Sequence, residues 1–494
     1  MLLTLSLIGV LAGGGSCEAL RSLTLPNVTI AAAERVASGP FVSPDARGRG
    51  GAGGPVLPAH CRVAAVLTPS ADSHIEIEVW LPTDGWNGKF QAVGNGGWAG
   101  TISFAAMAAA LREGYATAST DTGHKDARAQ FAVGHPEKVI DFAYRSMHET
   151  VVAAKAMVAA FYGQAPRLSY YNGCSTGGRQ GLMEAQRYPD DFDAIVAGAP
   201  VHNMIHLNES QVALQAEMLK DPARIVPPGK VALFANAVIA ACDAKDGVRD
   251  GIVSDPDRCT FDPATLQCKG ADAPNCLTAP QVESAKRAYA SVTTKAGELV
   301  YPGRAPGFET GWRIPTVGAP VNPLFGDMPH FIGNDGAEVD PLTFDLDSEL
   351  ARAMKKAGFI EATDPNLAKF KARGGKLILY HGWADPGPAP ANTIRYYSEV
   401  TKALGGGKAD DWMRLFLLPG VGHCGGGPGP DQADFVAAIE RWREGNVAPD
   451  RIIASHVSGN RVDMTRPLCP YPQVAQYKAA GSPNDAGNFV CKVP

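Results

Sequence analysis

No Cys-x-x-Cys pair occurs in this chain of 494 residues, although it carries ten cysteines. Zinc ribbons are therefore not expected. An even number of cysteines without metal spacing fits disulfides and an oxidising compartment. Charge is also scarce: 19% of residues are charged and the formal net charge is -5. No basic cluster with interleaved aromatics appears, so neither nucleic acid nor an acidic membrane surface is expected as a partner. Beyond the N-terminus, no apolar stretch is long enough for a membrane helix. No internal repeat is found. The hydrophobic fraction, 45%, is an ordinary globular balance that can fill a sizeable core.

Residues 1–16, MLLTLSLIGVLAGGGS, form a short apolar run ending in small residues, as at a secretory cleavage site. The positive n-region is missing, so the start reads as truncated or misassigned. A lipoprotein anchor at Cys17 is disfavoured because the leucine expected three residues earlier is absent. The expected location is secreted or periplasmic.

From residue 61 onward, strand-like and helix-like text alternates. CRVAAVLTP (61–69) and HIEIEVWLP (74–82) read as strands, the second with apolar-polar alternation. GKFQAVGNGGWAG (88–100) reads as a buried strand entering a glycine loop. AAMAAALREGY (105–115) is helical and ATASTD (116–121) a short strand. The segment 142–163 reads as one long amphipathic helix stopped by Gly163. RLSYYNGC (167–174), GGRQGLMEAQRYP (177–189) and FDAIVAGAP (192–200) follow as strand, helix and strand. The alternation predicts a mainly parallel α/β sheet. It breaks at 201–370, which is dense in Pro and Gly and holds four cysteines. It returns at GGKLILYHG (374–382), WMRLFLLPG (412–420) and the helix 432–445. One core over 17–200 and 371–494, interrupted by a lid over 201–370, explains this better than two serial domains.

Gly173-Cys174-Ser175-Thr176-Gly177 fits G-x-S-x-G and lies between a predicted strand and a predicted helix. A sharp strand-to-helix turn there lifts the serine oxygen above the sheet. A serine at its free pKa is a poor nucleophile and needs a positioned base. His423 stands in a glycine-flanked loop after strand-like LFLLPG, and Asp385 follows KLILYHG, where it can orient the imidazole. Each motif alone is weak; a lone loop histidine is normally solvated. Three loops after three strands, in the order Ser…Asp…His, are the α/β-hydrolase order. The expected fold is thus an α/β-hydrolase core with the lid inserted between nucleophile and acid. An oxyanion hole needs two preorganised N–H donors. Thr176 is expected to give one, and Gly97 (with Gly96 as alternative) the other. Cys174 precedes the serine and Cys424 follows the histidine, so a disulfide between them would clamp nucleophile to base.

Asp243, Asp246 and Asp250 lie within eight residues with two glycines. Three close carboxylates repel unless a cation sits among them, and hard oxygens with turn glycines suit Ca²⁺. The twelfth position is Ser254, so this is no EF-hand. A solvated acidic turn is the plainer alternative.

Together, Gly-Cys-Ser-Thr-Gly-Gly-Arg (173–179), His-Gly-x-x-Asp (381–385) and Gly-His-Cys (422–424) resemble the tannase and feruloyl esterase family, over nearly the whole chain. The resemblance implies the fold above and the joining of Cys174 to Cys424. It implies structural Ca²⁺ in the lid, held by the side chains of Asp243, Asp246 and Asp250 and the carbonyls of Val248 and Ile252. It further implies the pairs Cys17–Cys61, Cys242–Cys259, Cys268–Cys276 and Cys469–Cys491. The activity implied is hydrolysis of phenolic or aromatic acid esters, derived from plant cell wall or polyphenol. A feruloyl-type ester is the first expectation and a galloyl ester the second. Relatives that cleave terephthalate monoesters use a lid arginine for the free carboxylate. No arginine lies between Arg313 and Arg352, which lowers that substrate. Trp312, Phe325 and Phe331 are the candidate substrate contacts, Trp312 first, although lid core is the usual fate of such residues. A catalytically inactive binding homologue is the alternative from another class, and the intact Ser, Asp and His argue against it. A metal-dependent hydrolase is disfavoured by a ligand set without histidine.

Overall fold

The computed structural model describes residues 15–44, 54–98, 100–312, 322–406 and 411–494. The leader-like run over 1–16 falls, but for its last two residues, outside them. Nine strands form one sheet: β1 (Val28–Val36), β2 (His60–Leu67), β3 (Ile75–Pro82), β4 (Lys89–Val93), β5 (Ala116–Thr120), β6 (Leu168–Cys174), β7 (Ala194–Gly198), β8 (Lys376–Gly382) and β9 (Met413–Leu418). Their spatial order is β1-β2-β3-β5-β4-β6-β7-β8-β9. β1, β2, β3 and β5 pair antiparallel. From β5 to β9 all pairings are parallel.

Local sequence explains the two halves. β2 alternates buried and half-buried residues, as a sheet with one wetter face does. β5 (ATAST) and β7 (AIVAG) are buried at every position, because helices cover both faces of the parallel half. The covering helices are α1 (Phe104–Arg112), α2 (Ser146–Tyr162) and α3 (Thr176–Arg187). The single helix expected over 142–163 begins later: residues 141–145 form a π-helical turn after a short helix at 136–140. Gly163, at φ 72°, ends α2 in the left-handed region.

Between β7 and β8 the chain leaves the sheet and forms α4 (Met204–Lys220), α5 (Pro228–Cys242), α6 (Ala279–Tyr289) and α7 (Leu346–Ala357). Their apolar faces build separate small cores, one around Phe234, Ala285, Ala288 and Trp312. Disulfides Cys242–Cys259 and Cys268–Cys276 staple the loops between these helices. After β8 come α8 (Pro390–Ala403), β9 and α9 (Phe435–Gly445). Two hairpins, Ile452–Ser458 with Arg461–Leu468 and Val474–Tyr477 with Phe489–Lys492, end the chain. Cys17–Cys61, Cys174–Cys424 and Cys469–Cys491 complete the five disulfides, in the pairings that the family resemblance implies.

Candidate active site

Ser175, Asp385 and His423 all follow the C-terminal end of a parallel strand, where open α/β sheets place their ligands. Ser175 caps α3 at the end of β6 with φ 65° and ψ -123°, a conformation a non-glycine residue rarely adopts. Its amide donates to the Gly198 carbonyl at 2.9 Å and its carbonyl accepts from Arg179 N at 3.0 Å, so both neighbours hold the turn. The loop after β4 must approach this turn closely. A Cβ on Gly94 would stand 2.6 Å from the Gly177 Cα, and one on Gly177 2.9 Å from the Asn95 carbonyl oxygen. Only glycine fits at either position.

The Gly94–Gly97 loop is fixed by its own polar contacts. The Asn95 side chain donates to the Thr101 and Thr120 carbonyls, both at 2.7 Å. The Gln180 amide donates to Asn95 Oδ1 at 3.0 Å. Thr176 Oγ1 donates to the Gly97 carbonyl at 2.8 Å, tying the loop to the first residue of α3. The Thr176 N–H belongs to the first helical turn, whose amides have no intrahelical acceptor. Gly97 and Thr176 both line the cavity beside Ser175, whereas Gly96 is not among its walls.

His423 Nε2 lies 2.8 Å from Ser175 Oγ, and its Nδ1 lies 2.6 Å from Asp385 Oδ2. Burial pulls the His423 pKa down, but the hydrogen bond and negative charge of Asp385 outweigh it, so the value stands above the ordinary imidazole range. For Asp385, burial pushes the carboxyl up, yet hydrogen bonds from His381 and His423 hold it below its ordinary value. Cys174 and Cys424 are bonded directly beside this pair.

The cavity over Ser175 and His423 encloses about 320 Å³, enough for one aromatic ring and its substituents. Val201, Met204, Leu207, Leu324, Phe325, Pro386 and Pro388 make it largely apolar. Of the three aromatic candidates, Phe325 lines this cavity. Contrary to expectation, Trp312 does not: it is 3% exposed and packs edge-on against Phe234 and Tyr289. The helices between β7 and β8 need a core of their own, and the indole is its largest side chain. Phe331 also lies outside the cavity; it stacks on His330 and lies under the Arg128 guanidinium.

Three residues at this site escaped the sequence reading. Arg304 lines the cavity at 7% exposure, donating to the Pro386 carbonyl and to Gln211 Oε1. In sequence it is one loop arginine in Tyr-Pro-Gly-Arg, with nothing to distinguish it from a solvated one. The absence of arginine between 313 and 352 therefore does not leave the pocket without one. Asn208 lines the same cavity, and its Nδ2 is buried with no hydrogen-bond partner among the described residues. His381 contacts Asp385 and had a signal: it stands four residues before Asp385 in the His-Gly-x-x-Asp motif.

A parallel-dominated sheet in this strand order, with its site on the loops after β4, β6, β8 and β9, defines the class: an α/β-hydrolase. A family model described as tannase and feruloyl esterase matches residues 61–492. An uncharacterized esterase of Xanthomonas campestris is 38% identical, over 99% of this chain and 94% of that protein. The mono(2-hydroxyethyl) terephthalate hydrolase of Piscinibacter sakaiensis is 33% identical, over 98% and 92%. The crystal structure of feruloyl esterase B from Aspergillus oryzae superposes with a TM-score of 0.90 at 30% identity, covering 96% of this chain and 99% of that one. The chain belongs to the tannase and feruloyl esterase family and is a carboxylic ester hydrolase.

Proposed function

We propose that the protein is a secreted serine esterase that cleaves esters of aromatic acids through an acyl-enzyme on Ser175. The contact of Ser175 Oγ with His423 Nε2, at 2.8 Å and opening on an apolar cavity, carries this reading. Ser175 Oγ attacks the acyl carbon as His423 Nε2 takes its proton, and Asp385 stabilises the imidazolium through Nδ1. The N–H groups of Thr176 and Gly97 receive the developing oxyanion. His423 then returns the proton to the leaving alcohol, and water repeats the sequence to release the acid. Five disulfides support export to an oxidising compartment.

A feruloyl-type ester remains the first choice of substrate, with the cavity's apolar walls around the ring. Arg304 and Asn208 favour a second reading, an acyl group that carries a carboxylate far from the ester. Arg304 is buried without any ion pair among the described residues, and burial lowers its pKa to about 10, so it stays cationic at neutral pH. A buried cation and an unpaired amide donor on one apolar cavity are complementary to an anion. One assay panel of methyl ferulate, methyl gallate and a terephthalate monoester decides between the substrates. Arg304→Met is expected to lower kcat/KM for the carboxylate-bearing ester by roughly 10–100-fold and for an unsubstituted benzoate ester by less than about threefold. Equal loss on both esters rejects Arg304 as a substrate contact.

Structural Ca²⁺ is proposed for the lid. Asp246 Oδ2 is buried and receives no hydrogen bond among the described residues. Asp243 accepts from the amides of Asp250 and Gly251, and Asp250 accepts from Ile252 N and Arg466, which curls the loop around its carboxylates. This donor set of oxygens alone fits Ca²⁺ held by Asp243, Asp246, Asp250 and the carbonyls of Val248 and Ile252. The bound ion would offset the repulsion of the carboxylates and fasten the loop to the C-terminal hairpins through Val248 and Arg466. At 100 times its Kd, calcium is expected to add roughly 2.7 kcal/mol of stability. Asp246→Ala is expected to lower the melting temperature in calcium and abolish its response to chelator. No calcium by metal analysis, and no thermal response to chelator, would refute the site.

A further inference from the structure

Asp385 is gripped by two histidines, only one of which belongs to the triad. His423 Nδ1 and His381 Nε2 both reach Asp385 Oδ2, at 2.6 and 3.1 Å. Asp385 Oδ1 accepts from Gly387 N at 2.9 Å. His381 is 0% exposed, at the end of β8. Its Nε2 also stands 3.1 Å from the Pro388 carbonyl oxygen. Two acceptors face Nε2, so Nε2 carries the proton of the neutral ring. The other nitrogen, Nδ1, lies 2.7 Å from the hydroxyl of Thr393, itself 0% exposed in the first turn of α8. With the proton on Nε2, Nδ1 is an acceptor, and the Thr393 hydroxyl is its donor.

We propose that Thr393 and His381 are positioning residues of the active site: the Nε2–H of His381 anchors Asp385, the Thr393 hydroxyl donates to Nδ1 and so holds and polarises that ring, and this sets the position and basicity of His423. The chain of hydrogen bonds then runs Thr393, His381, Asp385, His423, Ser175. Two features fit His381 to this role. The opposite tautomer would turn a bare nitrogen lone pair toward both the carboxylate and the Pro388 carbonyl, leaving two buried acceptors facing a third. Asp385 is also three residues beyond β8, in the Trp-Ala-Asp-Pro loop, so no strand pairing holds its side chain. The His381 ring sits on the strand itself, which pairs with both β7 and β9, and lends that rigidity to the carboxylate. His202, from the segment before α4, and Tyr301 and Arg304, from the lid, are the other titratable groups whose charge reaches this pair.

Thr393→Val tests the relay with little change of shape, because only the hydroxyl is lost. This inference rests on the esterase reading, so the assay is run beside Ser175→Ala on a neutral aryl ester, with melting temperatures for every variant. Thr393→Val is expected to lower kcat roughly tenfold with KM within about twofold, since the lost contact acts on the base and not on the substrate. The acid limb of its kcat/KM profile is expected to move up by about half a pH unit, because His381 Nε2–H, without a donor at Nδ1, is a weaker donor to Asp385, which then holds the His423 proton more tightly. Thr393→Ser keeps the donor and is expected to restore both values. His381→Phe is expected to lose more activity than Thr393→Val, with a larger upward shift, because it removes the donor to Asp385 altogether. Wild-type kcat and acid limb in Thr393→Val would overturn the relay, as would a Thr393→Ser enzyme no better than Thr393→Val. A lowered melting temperature with an unmoved acid limb would also overturn it, marking a packing role only. Persistent activity in Ser175→Ala would instead remove the esterase mechanism beneath it.

Discussion

Replacing Ser175 by alanine is expected to reduce turnover of an aryl ester by up to about 10⁶-fold, the scale of a complete triad knockout. The size follows from the role. Without Oγ there is no covalent intermediate, and His423 has no proton to take. On this mechanism, what remains is the electrostatic contribution proposed for the Thr176 and Gly97 N–H groups and the binding of the ester in the cavity. KM is expected to change little, because the hydroxyl contributes almost nothing to apolar burial. The strained backbone at Ser175 is set by its neighbours, through the Gly198 carbonyl and the Arg179 amide, and not by the side chain. The variant is therefore expected to fold and to melt close to wild type. A kcat above a tenth of wild type would be incompatible with the assigned nucleophile.

The second large effect is expected from removing the disulfide between Cys174 and Cys424. The two cysteines are 250 residues apart in sequence, and the chain-entropy picture assigns such a loop about 5 kcal/mol as an upper figure. The geometric consequence is more specific. Cys174 immediately precedes the nucleophile, and Cys424, at φ 64°, immediately follows the base. The bond thus fixes the two ends of the 2.8 Å contact relative to each other. A displacement of ~1 Å in a reacting group costs about 10²-fold in rate. Cys174→Ala with Cys424→Ala is expected to lose roughly that factor in kcat at temperatures where the protein is still folded, and to melt lower. The other four disulfides are untouched, so the kcat loss belongs to the clamp. Full activity in the folded double variant, or a free Cys174 thiol in active enzyme by peptide mapping, would contradict the clamp.

The parallel half of the fold was legible because its elements carry strong local signals. RLSYYNGC, FDAIVAGAP and KLILYHG are short apolar runs bounded by turn residues, and β6, β7 and β8 form within them. The motif order along the chain also conveyed which loops meet, since each follows a parallel strand. The antiparallel edge was less legible. VTIAAAERV forms β1, yet its alanines and its glutamate-arginine pair give no clean alternation, because an edge strand is wet along much of its length. The C-terminal hairpins were missed for a similar reason: Ile453, Val457 and Val462 are exposed and break the inward-outward pattern. The lid exposed the firmest limit. Trp312, Phe325 and Phe331 are alike in sequence, and which one faces the cavity depends on how the lid helices pack. Arg304 and Asn208 were invisible for the complementary reason. A buried arginine without an ion pair cannot be told from a solvated one until the cavity around it is known.

Trapping the covalent intermediate shows directly whether Ser175 is the nucleophile. The purified protein is incubated with an aryl phosphonate ester, which phosphonylates an activated serine and resembles the tetrahedral acyl adduct, and is then digested and mapped by mass spectrometry. One equivalent of label is expected, located on Ser175, with ester hydrolysis lost in proportion to labelling and neither event in a His423→Ala variant. Complete loss of activity with Ser175 unlabelled, or full labelling of Ser175 with activity intact, would contradict that role.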